Sequence, residues 1–425
     1  MIKRRINSHL KASIIVPVYN AKETLSACLD SLMALEFPKE DSEILLVDNN
    51  SNDGSKDIIS RYPVVYLFEP NKGRGWARNR GVKNARGKYI VFFDADCVVK
   101  KDCLSILVDY MENHREIVAC GGEVIAFKKE TIFEKYEESE RLLSQEIGIK
   151  GRNRGDIPRI VTANAIFCKD VLEEAGYFDE DLVTSEDTEL SWRIHFLGHE
   201  VDYVSDAIVY HQHRQTFFSF FEHHFEYGLA SGVLQYKYNT MRHDLPPSSS
   251  KIKAFFCSVK FFFLILASTL RSIFCRAKTK KGLFKLAHAL HLTAFNLGMT
   301  VSLVRILFNR SYVSTYKGIP SHNSLKNFTV LHNNSKWSLN KPLSWFLKDE
   351  LVRMITFSER LEVFNLNKSG TRIWKSLLET RNFQKTVGEI ADFYGLSENV
   401  VTEDAEDFMD LLTQERIFKK DTAIL

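Results

Sequence analysis

The chain has 425 residues, 44% hydrophobic and 26% charged, a globular balance that exceeds one ordinary core and predicts two or three domains. A net charge of +3 is too small to support nucleic-acid binding by charge. The seven cysteines are odd in number and scattered, with no Cys-x-x-Cys pair. That argues against a zinc site or disulfide framework and fits a reducing cytosol.

The N-terminus is basic but has no apolar signal region before the first strand. "SIIVPVYN" (Ser13–Asn20) reads as a strand ending in a turn, and "ETLSACLDSLMAL" spaces Leu25, Cys28, Leu29, Leu32 and Leu35 as an amphipathic helix. "SEILLVDNNSNDGS" gives a second strand ending at Asp48, with a turn that caps a helix at "DIISRY". "PVVYLFE" is a third strand, and "NKGRGWARNRGVKNARG" supplies a turn and a short helix. "YIVFFDADC" (Tyr89–Cys97) then sets Asp94 and Asp96 one residue apart at the end of a buried strand. Side chains two apart on a strand point the same way, so two negative charges are expected side by side. Either that strand end frays into solvent, or a hard cation such as Mg²⁺ or Mn²⁺ sits there with a substrate's phosphates. The alternation of strand and helix predicts a parallel α/β sheet with ligands at the strands' carboxyl ends, where Asp48 and Asp94 fall.

From about Gly121 to Arg214 the alternation is irregular. "RIVTANAIFCKDVLEEAGYFDE" reads as strand, helix and turn. "TSEDTELSWRIHFLGHEV" starts a helix at Glu186 and Asp187, with Leu190, Ile194 and Leu197 on its buried side. Acids in a first turn suit the helix dipole and by themselves need no catalytic role. "FFSFFEHHFEYGLASGVL" is an aromatic helix, followed by a linker, "RHDLPPSSSK". Two apolar segments follow, Ala254–Leu270 and Gly282–Phe308. They are interrupted by Lys260 in the first and by Lys285, His288, His291, Asn296 and Arg305 in the second. Neither has the clean apolar length of about 20 residues that a spanning helix wants. The basic loop between them would, as a cytoplasmic loop, put the preceding half outside, away from cytosolic substrates. Two placements stay open: helices lying on the inner membrane leaflet, or helices packed on the protein.

After a second linker, "YVSTYKGIPSHNSLKN", comes a C-terminal module from about Trp337. "RLEVFNLNKSGTRIWKSLL" predicts a strand, a cap at Asn367 or Ser369, and a helix. "TVGEIADFYGL" and "TEDAEDFMDLLTQERIF" predict two more helices, the last opening at Thr402 with Glu403, Asp404, Glu406 and Asp407 near its N-terminus.

In this order, "IIVPVYN", "VDNNSNDGS", "NKGRGWARNRGVKNARGKYIVFFDADC", "TANAIFCKDVLEEAGYFDE" and "SEDTELSWR" make roughly Ser13–Tyr227 resemble a family 2 glycosyltransferase of the GT-A fold. The resemblance implies a Rossmann-like nucleotide-diphospho-sugar transferase domain over 1–240, a hexosyltransferase that inverts the anomeric centre by one displacement. It also implies a nucleotide-diphospho-sugar donor, a UDP-sugar by family habit. Pro17 and Tyr19 would line the base, Tyr19 by stacking, and Asp48 would accept a hydrogen bond from base or ribose. Arg78 would reach the base or phosphates. Asp94 would contact the ribose or a metal-bound water, and Asp96 would ligate Mg²⁺ or Mn²⁺. His211, in "IVYHQHR", matches a further metal or phosphate contact, with a satisfied surface histidine as the alternative. Asp187 would be the general base, with Glu186 orienting or binding the acceptor. The family often shows "DD" where this chain has Asp48-Asn49.

About Trp337–Phe418, within a module placed at 331–425, resembles the PqqD-like proteins, small winged-helix modules that hold the leader of a ribosomal peptide during its modification. "FNLNKSGTRIW", "TVGEIADFYGL" and "TEDAEDFMDLLTQERIF" carry that likeness. It implies peptide binding by strand addition. Residues 241–330 are then a helical linker, and the expected setting is the cytoplasm, with peripheral contact to the inner membrane face left open. The fusion suggests a transferase that glycosylates a ribosomally made peptide, or a cofactor derived from one, tethered by the C-terminal module. A lipid, polysaccharide or small-molecule acceptor is the first alternative. A non-catalytic scaffold is the second, and the intact acidic pairs speak against it.

Overall fold

The computed structural model describes residues 10–151, 157–239, 280–308, 323–325, 329–332, 335–339, 343–348, 351–357, 361–414 and 418–421. They fall into two compact units, one running to Tyr236 and including residues 280–308, the other holding the described residues from Asn323 onward.

The first unit is built on eight strands: β1 (Ala12–Val18), β2 (Ser42–Asp48), β3 (Val65–Phe68), β4 (Tyr89–Phe93), β5 (Cys97–Val99), β6 (Ile117–Ala126), β7 (Asn164–Cys168) and β8 (Glu200–His211). Their order is β3-β2-β1-β4-β7-β6-β8-β5. The first four named are parallel neighbours; β7 then runs antiparallel to both β4 and β6, and β5 antiparallel to β8. Strands β1 and β4 are fully buried apart from a half-buried Pro17, as expected of a parallel sheet covered on both faces. The covering helices are α1 (Leu25–Met33), α2 (Ser55–Ile59), α3 (Arg74–Asn84), α4 (Cys103–Asn113), α5 (Ile132–Ser139), α6 (Gln145–Lys150), α7 (Lys169–Glu174) and α8 (Glu186–Phe196). Helix α1 buries Leu25, Cys28, Leu29 and Leu32 against the sheet, the face its spacing predicts. The chain reverses its winding between β1 and β4, and such a switch point opens a crevice at the strands' carboxyl ends.

Two long helices, α9 (Phe217–Asn239) and α10 (Lys280–Phe308), complete this unit. Phe220 meets Ala287 beside Tyr136, Gly228 lies on Phe295, and Gly232 on Ser302, so the two helices run side by side in the same direction. A Cβ at Gly228 would run into the carbonyl oxygen of Phe295, so glycine is what permits this approach. Within α10, Leu283–Ile306 is long and apolar enough to cross a membrane, which corrects the expectation that the segment is too interrupted. Its polar residues are absorbed locally: His288 and His291 each place Nδ1 2.9 Å from the Tyr136 hydroxyl, and Asn296 bonds the Leu292 carbonyl. The segment Ala254–Leu270, the linker at 242–251 and most of 312–327 lie outside the described residues.

His224 stacks on His291 at 4.1 Å between ring centroids. Burial, reinforced by His291 and Arg214, lowers His224 to about 3. Burial and His288 lower His291 to about 4, against the pull of Glu137. Both rings are therefore neutral when packed and protonate near 6.5 when released, so the open form binds more protons. Stability of the α9–α10 contact is full above pH ~6.5 and is lost as pH falls towards about 4. Hydrogen exchange of residues 287–300 is expected to quicken on acidification before the β1–β4 amides do. Equal acid sensitivity of both regions would refute it.

The second unit has two antiparallel sheets, β10-β11-β15 and β14-β13-β12-β9, from β9 (Asn323–Leu325), β10 (Thr329–His332), β11 (Ser335–Leu339), β12 (Leu343–Lys348), β13 (Leu351–Phe357), β14 (Leu361–Asn365) and β15 (Phe418–Asp421). Three helices, α11 (Lys368–Thr380), α12 (Phe383–Tyr394) and α13 (Glu398–Gln414), stand between β14 and β15, and β15 returns to pair with β11. This helical module with its returning strand fits the small winged-helix expectation. Trp337, Trp374, Phe383, Met409 and Phe418 form its core. Asn367 caps α11 by accepting from the Gly370 amide at 2.8 Å, as its position in the sequence suggests. Helix α13 starts at Glu398, a turn earlier than expected, so Thr402 lies inside it and bonds the Glu398 carbonyl at 2.7 Å. The acids from Glu403 to Asp407 consequently sit beyond the first turn.

Candidate active site

Residues from four strand ends gather at the crevice. Pro17, half-buried, is the next-to-last residue of β1, and Tyr19 just past the strand is 51% exposed, its ring 5.3 Å from the Lys72 ammonium. Asp48 closes β2 and is 2% exposed. One carboxylate oxygen accepts the Ser51 amide at 2.9 Å and the other the Tyr66 hydroxyl at 3.0 Å. Burial and the Asp48 charge push Tyr66 up to about 12, so it remains a donor. Asn49 donates to the carbonyls of Glu69 and Asn71 and accepts from the Gly73 amide, fastening the end of β2 to the turn before α3.

The paired aspartates are not on a strand. β4 ends at Phe93, and the Cys97 amide donates to the Asp94 carbonyl at 3.0 Å, closing a tight turn. In that turn strand alternation no longer sets the two carboxylates, and each makes its own contact. Asp94 accepts from Arg78 Nη2 at 2.9 Å, and Asp96 Oδ1 lies 3.4 Å from His211 Nε2. Antiparallel pairing places Cys97 opposite His211, which is what brings that histidine to Asp96.

Arg78, 3% exposed, joins two elements. Its Nη1 donates to Glu186 and its Nη2 to Asp94, while the guanidinium lies over the Phe178 ring. Both guanidinium ends are thus occupied by carboxylates of the protein. The next residue, Asn79, exchanges hydrogen bonds with both the amide and the carbonyl of Phe178 and fixes α3 to the loop before α8. Burial works against ionisation of Asp94, and Arg78, His211 and Arg74 overcome it, holding its carboxyl below the usual range. For Glu186, burial and the neighbouring Asp187 prevail over Arg78, so its carboxyl is raised.

Glu186 and Asp187 begin α8 as predicted, behind Ser185 in left-handed backbone at φ 62°. They face different surroundings. Glu186 is 2% exposed against Arg78, whereas Asp187 is half-buried and accepts from the Thr188 amide at 2.7 Å and hydroxyl at 3.4 Å, and from the Thr162 amide at 3.3 Å and hydroxyl at 3.5 Å. The buried Glu189–Arg193 pair, with Arg193 donating to the Tyr177 carbonyl at 2.6 Å, fastens the helix that carries both acids.

Arg74 was not singled out in the sequence, although it precedes Arg78 by four residues and so shares its helix face. Its Nη1 donates to Thr184 Oγ1 at 2.6 Å and its Nη2 lies 3.8 Å from Glu226 on α9. With 38% of its side chain exposed, it presents a cation at the mouth of the crevice.

Asp96, Cys97 and His211 each place one potential ligand atom within 4.8 Å of the others. Asp96 Oδ1 is a buried atom with no hydrogen-bond partner, the condition expected of a ligand atom, and the His211 nitrogen that faces it is Nε2, 3.4 Å away. Burial, then Asp96 and Asp94, keep Cys97 a thiol well above its usual range, and its sulfur faces the Ala163 carbonyl at 3.6 Å. The fitting donors for a hard divalent cation are therefore Asp96 and His211.

Residues 13–176 match the family model described as Glycosyl transferase family 2, and residues 354–417 match Coenzyme PQQ synthesis protein D (PqqD). The first match ends ahead of α8, so Glu186, Asp187 and His211 stand on geometry. Among curated proteins, the chain is 29% identical over 204 residues to the poly-beta-1,6-N-acetyl-D-glucosamine synthase of Staphylococcus epidermidis, covering 46% of this chain and 48% of that one. It is 27% identical over 209 residues to glycosyltransferase AglE of Haloferax volcanii, covering 48% and 67%. The chain thus matches about half the length of the synthase. Similar solved structures include mannosyltransferase PcManGT from Pyrobaculum calidifontis in complex with GDP-Man and Mn²⁺, with a TM-score of 0.44, 17% identity, and 72% of this chain and 81% of that one covered. S. aureus TarS 1–349 in complex with UDP gives 0.39, 17%, 83% and 98%.

Proposed function

From a catalytic region that belongs to glycosyl transferase family 2, we propose a metal-dependent, inverting glycosyltransferase that moves a sugar from a nucleotide-diphosphate donor, a UDP-sugar, onto a ribosomally made peptide held by the C-terminal unit. The observation that carries the catalytic reading is Arg78, whose two ends tie the turn holding Asp94 and Asp96 to the helix holding Glu186 and Asp187. A donor site and a base are thereby held in one rigid frame, as a single displacement requires.

Tyr19 offers the base an exposed ring, and Asp48 with Tyr66 forms a polar floor beside it. Asp96 and His211 would hold a divalent cation, Mg²⁺ or Mn²⁺, which would supply charge neutralisation for the leaving diphosphate. Arg74 adds a cation at the mouth. Asp187 takes the proton from the acceptor hydroxyl or thiol as it attacks the anomeric carbon, and Glu186, held by Arg78, orients or binds the acceptor.

The match of residues 354–417 to PqqD supports the peptide acceptor. The test incubates the full chain with Mn²⁺, UDP-sugars and each short peptide encoded beside its gene, and reads peptide mass. A hexose-sized gain on one peptide, lost on removing Mn²⁺, is the expected result. Sugar released or polymerised with no peptide modified would reject this acceptor and favour a polysaccharide or lipid, the reading to which the apolar Leu283–Ile306 stretch lends weight.

A further inference from the structure

Outside the site described so far, the least expected group is Glu137 on α5. Its carboxylate is 4% exposed, and burying a charge is costly unless it is held by partners. One oxygen accepts the Arg214 amide at 3.1 Å and faces His213 Nδ1 at 3.3 Å. The other faces His224 Nε2 at 3.5 Å, and neither of those two atoms is in a hydrogen bond. The neighbouring Glu138 lies 3.6 Å from the second ring nitrogen of His213. Helix α5 thus grips His213 on both sides and holds the backbone one residue further on.

That segment matters because of what it carries. β8 ends at His211, and residues 212–215 have no ladder partner. His211 and His213 stand with ring centroids 5.5 Å apart, one turned to Asp96 and the other to Glu137. On the Asp96 side the strand end is secured by the Gln212 amide donating to the Asp96 carbonyl at 3.0 Å, and on the far side by the Phe127 amide donating to the His211 carbonyl at 2.8 Å; beyond that ladder Glu137 anchors the chain at Arg214.

We propose that Glu137 is a positioning residue for the cation site: by holding His213 and the Arg214 amide, it fixes the end of β8 so that His211 is presented to Asp96. The inference rests on the reading of Asp96 and His211 as cation ligands. Partners one step removed from a ligand commonly tune metal affinity by about 10-fold or more when lost.

The test titrates full-length protein with Mn²⁺ alone and reads the free ion by electron paramagnetic resonance. Glu137→Gln keeps the side-chain length and an acceptor for the Arg214 amide but removes the charge that holds His213. It is expected to bind Mn²⁺ about 10-fold more weakly than wild type while its melting curve stays cooperative. A folded Glu137→Gln protein with wild-type Mn²⁺ affinity overturns the proposal. If that variant does not fold, His213→Gln replaces it with the same two outcomes. Asp96→Asn separates the levels: loss of Mn²⁺ there with normal binding in Glu137→Gln rejects Glu137 alone, whereas a wild type that binds no Mn²⁺ rejects the cation site itself.

Discussion

Asp187→Asn protein is expected to transfer sugar about 1,000-fold more slowly than wild type while binding the donor nucleotide equally well. Asp187 is the acid at the start of α8 with room to act: it is half-buried, and no described cation lies within ion-pair distance. Glu186 is shut in by Arg78. Asparagine preserves the volume and the acceptor for the Thr188 amide, so the helix start should survive and the loss should fall on kcat. Single-turnover transfer together with calorimetry of nucleotide binding distinguishes the cases. A loss under about 10-fold, or a matching fall in nucleotide affinity, would mean that Asp187 is not the base.

Arg78→Leu should destabilise the first unit by about 3–5 kcal/mol, the usual consequence of stranding buried carboxylates. The guanidinium is the partner of both Asp94 and Glu186, the latter 2% exposed. Glu186, already raised by burial, loses the cation that opposes that shift, while Asp94 loses the group that chiefly holds it ionised. Urea unfolding of wild type and variant measures the difference. A change within about 1 kcal/mol would show the bridge to be energetically idle and would weaken its role as the frame of the site.

Much of the catalytic half is legible locally. Strands β1, β2 and β4 are continuous apolar runs, and Asp48 stands at a strand end because the apolar run stops there. The paired aspartates defeat the same logic. Two-residue alternation holds only while the strand lasts, and β4 gives way to a turn whose far side pairs with β8 more than 100 residues later. Arg78 is similarly opaque, because its partner Glu186 is 108 residues away and no spacing rule links them. In α10, charged and polar residues broke the apolar count on paper, but Tyr136 satisfies His288 and His291 in place, and the helix's own Leu292 carbonyl satisfies Asn296. The early start of α13 has a plainer cause: Ser397 precedes it, and its carbonyl accepts the Val401 amide, so the helix is under way before Thr402.

Asn49 bears on how a sequence like this one can drift. Its amide gives two hydrogens to the Glu69 and Asn71 carbonyls and its oxygen takes one from Gly73. An aspartate there would set negative charge against two carbonyl oxygens with nothing to donate. A single change from Asp-Asn to Asp-Asp is thus a step downhill in fitness unless the 69–73 turn re-forms first. Chains with one dipeptide and chains with the other should differ in that turn as well, as two linked solutions with a poorly tolerated intermediate between them.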